Sequence, residues 1–276
     1  MKAGRAGSSP DGTASDWQSQ PLSALLADIG EAVANLNTAV VGLDAVEKGH
    51  EKPESLDISW SPGDRQAASR KARKFIVEAV LVRVFEALRQ HSVVISRLPR
   101  LRKVVGKWDG NTKWATKIWD IYTAIVGETY LVSSAVLVVH WRNRIVHPGS
   151  NARLQSSQKN LLRDNDAEIA EKYKRLSVDC LLCHFEEGRP TLKDVSSLIA
   201  MAMNLAREVD RSISSTLSKE DFDSWLEYFE LVDAIKKVVA ETKPEKRAAS
   251  VRRVFQTRAP MLLDGYERYY TVPSSD

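Results

Sequence analysis

The stretch YLVSSAVLVVHW, residues 130–141, decides how the fold is read. Its valines suit a β-strand, and a continuous apolar run fits a buried strand or a buried helix equally well. Its length and its lack of Gly or Pro favour a helix that is apolar all round, at the centre of a bundle. The run FIVEAVLVRVFEAL, residues 75–88, carries the same ambiguity and the same resolution.

Outward from these two stretches the pattern stays helical. Leu22, Leu25, Leu26, Ile29, Val33, Leu36 and Val40 recur at steps of three and four, one apolar stripe on a first helix. Residues 49–63, with Pro53 and Pro62, read as a loop before a long helix over 64–96. That helix begins basic and exposed, with Arg65, Arg70, Lys71, Arg73 and Lys74. Asn111 and Thr112 offer an N-cap to a helix whose Trp114, Ile118, Trp119, Tyr122 and Ile125 read as core. A polar loop is expected from Ser150 to Asp164, then a helix over 166–186 that ends at Gly188. Thr191 with Asp194 opens a helix through Leu198, Met201, Leu205 and Val209. Ser218 with Asp221 opens another, carrying Trp225, Phe229, Val232, Ile235 and Val239 to Pro244. A basic, then aromatic, segment reaches Tyr270.

No GxGxxG, P-loop, regular repeat or strand alternation is present. The expected fold is all-α. A helical bundle occupies 19–216, with a C-terminal helical extension over 217–276. Residues 1–18, rich in Gly, Ser, Ala and Asp, are expected to be a disordered tail.

Composition narrows the function classes. The 276 residues are 43% hydrophobic and 28% charged, an ordinary globular balance. A net charge of +4 does not by itself argue for nucleic acid. Two cysteines exclude a disulfide framework and fit a reduced compartment. The N-terminus lacks the apolar core of a secretory signal, and no uncharged apolar run approaches the roughly 18 residues of a span. A cytoplasmic protein with no membrane role is expected.

The central helix ends in an unusual way, as VVHWRNRIVHPGS over residues 138–150. Buried charge is costly unless it is paired or used. Asn143 and His147 are four apart and share a helix face. Arg142 and His147 are five apart, about 140° around a regular helix. Pro148 disfavours helical dihedrals at His147, so the helix should end there and free the imidazole to turn toward the arginine. A helix C-terminus favours a protonated His while nearby Arg opposes it, a balance that suits an acid–base group. Arg supplies a permanent forked cation that fits a phosphodiester.

Charge distribution points the same way. No Asp or Glu occurs from Thr129 to Arg163, a window holding Arg142, Arg144, Arg153, Lys159 and Arg163. A second acid-free window, from Ala87 to Trp108, holds Arg89, Arg97, Arg100, Arg102, Lys103 and Lys107. If these loops share one end of the bundle they form a positive funnel for phosphate; otherwise they are scattered solvated cations.

The string RNRIVH, residues 142–147, set in an all-helical bundle, resembles the Arg-x4-6-His motif of the HEPN superfamily (higher eukaryotes and prokaryotes nucleotide-binding domains). Arg142 matches the family Arg, Asn143 the favoured polar residue after it, and His147 the closing His. The resemblance covers the core bundle and makes no claim on residues 1–20 or 217–276. It implies a metal-independent endoribonuclease, with two domains pairing about a two-fold axis so that both motifs line one cleft. Family members serve as toxins of toxin–antitoxin pairs and as anti-phage effectors. By this resemblance His147 moves protons, Arg142 stabilises the phosphorane and Asn143 orients its neighbours. RNA cleavage leaves a 2′,3′-cyclic phosphate and a 5′-OH, with no cofactor and no metal. Glu86, or else Glu78 or Glu128, would fill the family's supporting acidic position. Arg144 would stand beside the motif, as would His140 unless it is, as its position favours, a satisfied core or interface histidine; Arg100, Arg102, Lys103, Arg153, Lys159 and Arg163 would track RNA. The implied partners are RNA, a second copy of the chain, and an antitoxin or sensor protein. Two alternatives stay open: a HEPN-like module that binds RNA, nucleotide or a partner without cutting, and a helical scaffold.

Cys180-Leu-Leu-Cys-His184 spells the c-type haem string, but covalent haem needs export, and the stretch reads as packed helix. Zinc there lacks a clear fourth ligand. The run KPEKRAASVRRVFQTR, residues 243–258, carries six cations against one acid; it reads by default as a solvated face, with tracking of RNA or an acidic partner left open.

Overall fold

Gly127 and Thr129 set where the central helix begins. Gly127 takes a left-handed φ of 79°, which turns the chain, and the Thr129 hydroxyl accepts from the Val132 N–H at 3.3 Å. The helix then runs Tyr130–Val146, and every residue from Tyr130 to Val139 is buried. Each Val or Leu so enclosed contributes roughly 1.5–3 kcal/mol of burial. A helix closed on all sides can only be a bundle's axis, and the Val-rich stretch is helix, not strand.

The computed structural model describes residues 19–259 and 262–270; the expected tail over 1–18 lies outside the described residues. Among the described residues there are thirteen α-helices and no strand. They are α1 (Gln20–Glu47), α2 (Arg65–Ile95), α3 (Arg102–Val105), α4 (Trp114–Val126), α5 (Tyr130–Val146), α6 (Ser156–Asp164) and α7 (Asp166–Lys172). After them come α8 (Val178–Glu187), α9 (Leu192–Thr216), α10 (Lys219–Tyr228), α11 (Leu231–Glu241), α12 (Pro244–Arg258) and α13 (Leu263–Tyr269). A 3-10 turn, Pro99–Leu101, precedes α3.

The central helix α5 packs against α2, α4, α6 and α9. The first helix lies antiparallel along α2, with Asp28 near Arg83 at one end and Glu47 on Arg73 at the other. By length and composition α1 is apolar enough to cross a membrane, but its Leu22, Leu25, Ile29 and Leu36 are buried against the bundle.

Several elements differ from the sequence reading. The polar loop after Ser150 contains α6, started by a reciprocal Gln155–Gln158 capping box and anchored by the fully buried Leu162. The helix expected over 166–186 is two helices. Lys174 and Arg175 turn the chain between them with φ of 53° and 60°. Gly188 closes α8 in the left-handed conformation, as expected. The helix expected to reach Pro244 breaks at Glu230, φ 53°. At α4 the cap is Lys113, because the Thr112 hydroxyl instead donates to Asp109 at 2.7 Å. Phe75, in the apolar run of α2, is 71% exposed. The boxes at Thr191–Asp194 and Ser218–Asp221 are both present.

The helices after Thr216 add an aromatic cluster to the same hydrophobic core. Phe255 stacks on Phe222 at 6.0 Å and on Tyr266 at 4.9 Å between ring centroids. Gly265 makes this closure possible: a Cβ there would stand 2.5 Å from the Phe222 ring and 2.9 Å from Leu217. Arg100 and Arg102 tie the turn before α3, and the first residue of α3, to α9 and α10, Arg100 bonding Thr216 and lying 3.9 Å from Asp221, Arg102 meeting Glu220 at 3.1 Å.

Candidate active site

Pro148 decides the geometry at the end of α5. Its ring keeps the preceding residue out of the helical region, and His147 has φ −120° and ψ 88°. The His147 N–H still bonds the Asn143 carbonyl at 3.0 Å, and its own carbonyl accepts from Ser150 at 2.9 Å. The backbone is therefore pinned while the side chain leaves the helical track. The imidazole Nε2 lies 3.1 Å from Arg142 Nη1. A guanidinium has only donors, so Nε2 is the acceptor and the ring's own proton is on Nδ1. The same Nη1 donates to Asn143 Oδ1 at 3.3 Å. The guanidinium carbon lies 5.2 Å from the Phe85 ring centroid, a cation–π contact from α2. Arg142 Nε is buried without a partner. Arg142 and Asn143 are half-buried and His147 is exposed.

Arg142, Asn143 and His147 are thus brought together, with the accepting nitrogen of His147 turned directly onto the permanent cation. Once an anionic oxygen takes over the Arg142 N–H, that arrangement can accept a proton from a hydroxyl beside it.

The supporting residues divide. Arg144 points away from the motif. Its Nε bonds the Ala152 carbonyl at 2.9 Å, Nη1 the Phe185 carbonyl at 2.5 Å, and Nη2 the Glu186 carboxylate at 3.1 Å. It is the strut between α5 and α8. His140 is half-buried, and its Nδ1 has no partner. Burial, then the nearby Arg144 and Lys113 charges, hold its pKa down to about 4. Glu86 accepts from Arg89 at 2.7 Å, one position along α2 from Phe85. Glu78 lies 3.6 Å from Lys74, and Glu128 precedes the opposite end of α5.

The two acid-free windows meet only in part: Arg89 lies one helical turn from Phe85, which carries Arg142, but the rest of its window does not reach the motif. Arg100, Arg102 and Lys103 follow α2, and Arg100 bonds the last residue of α9. Ser212 on that same end of α9 donates to the Ile125 carbonyl, just before α5 begins. The motif stands at the other end of α5, about 24 Å away at 1.5 Å per residue. Nor are the windows acid-free in space. Glu186 takes Lys159 and Arg144, and Asp179 takes Arg163 at 3.0 Å. Arg153 and Lys103 are exposed.

Cys180 and Cys183 are exposed rather than packed in the core, and His184 Nδ1 lies 2.8 Å from the buried Asp194. Among the described residues no group of three His, Cys, Asp or Glu could hold a metal ion.

Sequence reasoning missed Phe85 as a neighbour of the motif and placed Trp114 in the core, whereas it is half-buried. Phe85 looks like any core aromatic in sequence; only the packing of α2 on α5 puts it under Arg142. No protein-family model, curated protein or solved structure matches this chain.

Proposed function

We propose that the chain is a metal-independent endoribonuclease of the HEPN type. The observation that carries this reading is the 3.1 Å approach of Arg142 Nη1 to His147 Nε2 at an exposed helix end. A phosphate that takes over the Arg142 N–H frees the His147 Nε2 lone pair, which then takes the proton from a ribose 2′-OH, whose oxygen attacks the adjacent phosphorus. Arg142 holds the phosphate oxygens and meets the charge that develops on the phosphorane. Asn143 keeps the guanidinium oriented through its Oδ1. The 5′-oxygen departs with a proton from a second imidazole, brought by another copy of the chain across a two-fold axis. The products are a 2′,3′-cyclic phosphate and a 5′-OH. The resemblance further suggests a toxin or anti-phage effector acting in the cytoplasm, held in check by an antitoxin or sensor protein.

The test is purified protein with a labelled RNA. Cleavage that persists in EDTA and disappears in both Arg142→Ala and His147→Ala supports the reading. Tight binding without cleavage at any pH from about 6 to 8, where imidazole titrates, overturns it. That outcome would favour a second reading, a clamp in which His147 only positions Arg142. The hold of His147 and Asn143 on Arg142 without any ligand suits such a clamp.

A further inference from the structure

Two half-buried tryptophans flank a lysine close to the motif. Lys117 Nζ lies 5.6 Å from the Trp108 ring centroid and 5.1 Å from that of Trp114. The Arg89 guanidinium carbon lies 5.6 Å from the Trp114 ring. Trp108 is oriented by its Nε1–H, which donates to Asp120 at 3.0 Å. Trp108, before α4, and Trp114, at its first residue, each pack one side against the core and leave the rest of the side chain exposed. Ile118, Ile121 and Tyr122 form the core face of α4 and are essentially fully buried.

One turn of α2 joins this cluster to the motif. Phe85 lies under Arg142, Glu86 accepts from Arg89, and Arg89 reaches Trp114. Arg142 and Trp114 therefore stand about one turn apart along the same face of α2. Lys107 and Lys113 are exposed at the flanks of the cluster. Three acids lie in or beside it, and each is engaged: Glu86 by Arg89, Asp120 by the Trp108 indole, and the exposed Asp109 by the Asn111 N–H and the Thr112 hydroxyl. Aromatic faces interleaved with cations suit one ligand chemistry: unpaired bases that stack on the rings while their phosphates meet the ammonium and guanidinium groups. Duplex RNA hides its base faces and fits poorly.

We propose that Trp108, Lys117, Trp114 and Arg89 form a stacking platform for single-stranded RNA that leads the strand to Arg142 and His147. Its direction toward those two residues rests on the reading of them as the cleavage centre; its capacity to bind unpaired RNA does not.

The experiment uses the full chain carrying His147→Ala, so that no RNA is consumed, and a short fluorescent unstructured RNA followed by anisotropy. Trp114→Ala and Trp108→Ala are each expected to weaken binding roughly five- to 100-fold, the loss of one stacked base. Trp114→Phe keeps a π-face and should restore most of the affinity. Lys117→Gln changes a half-exposed side chain and should weaken binding while lowering its salt dependence by about one phosphate contact. The matching duplex should bind more weakly than the single strand. Affinity within about twofold of the parent in both Trp114→Ala and Lys117→Gln overturns the platform, as does equal affinity for the duplex. With His147 restored, a raised KM and unchanged kcat in Lys117→Gln supports the track. If no variant cleaves RNA, the nuclease reading fails alone and the binding data still judge the platform.

Discussion

The Arg142 guanidinium meets the His147 imidazole at 3.1 Å only because α5 stops at Val146. A helix continued by one more residue would hold the two side chains about 140° apart. Pro148 is what stops it.

Pro148→Ala should therefore damage the site without damaging the fold. It lets His147 relax toward helical dihedrals and withdraws the imidazole from Arg142. On the proposed nuclease reading, cleavage should fall about tenfold or more, because small misplacements of catalytic groups are costly. Stability should move by less than about 1 kcal/mol. Single-turnover kinetics beside a urea melt measures both; unchanged kinetics would separate the geometry from catalysis.

Arg144→Ala should do the reverse. Its side chain is only 19% exposed and joins α5 to Ala152, Phe185 and Glu186. Losing charge-assisted bonds of this kind costs about 2–3 kcal/mol. Arg144→Lys should not restore it, since an ammonium cannot reproduce the fork. Chemical denaturation of both variants against Arg142→Ala, which should lose far less, gives the comparison.

Acid should weaken the fold through His91. Burial holds this histidine down to about 4, below its ordinary 6.5, with Nδ1 3.0 Å from the Tyr122 hydroxyl. The unfolded chain therefore binds the proton more readily. Stability from this group is complete above about pH 6.5 and falls as the pH drops toward 4. At pH 5 the loss should approach about 2 kcal/mol. Urea midpoints over that range would show it, and a His91→Gln variant should show a shallower slope.

Gly265→Ala should loosen the extension while sparing the bundle. A Cβ 2.5 Å from the Phe222 ring forces that ring or α13 to shift, at about 1–3 kcal/mol. Amide hydrogen exchange should speed in α10 and α13 and stay slow in α5. Uniform loss of protection would mean that the two parts unfold together.

The sequence made the axis of the bundle legible because α5 and α2 carry long apolar runs without Gly or Pro. The capping boxes at Thr191 and Ser218 were readable because their chemistry is local. The breaks at Lys174, Arg175 and Glu230 were not, since lysine, arginine and glutamate in a left-handed turn have no compositional mark. Helix α6 was hidden by a glutamine cap and a single strongly buried leucine.

At the site, the bend at His147 was legible from Pro148, and the Arg142–His147 contact followed from it. The charge windows misled because neutralisation is a long-range fact. Arg102 finds Glu220, and Lys159 and Arg144 find Glu186, across separations that a one-dimensional scan cannot see. Trp114 was placed inside because helical spacing gives a face and not a depth.

The strut that Arg144 builds has an entropic consequence. It fastens Ala152 while the Asn143 carbonyl fastens His147, so the arc between them is short and held at both ends. The conformational freedom of that arc is surrendered when the chain folds. A ligand arriving at Arg142 and His147 meets preorganised groups, and little of its binding free energy is diverted into ordering them.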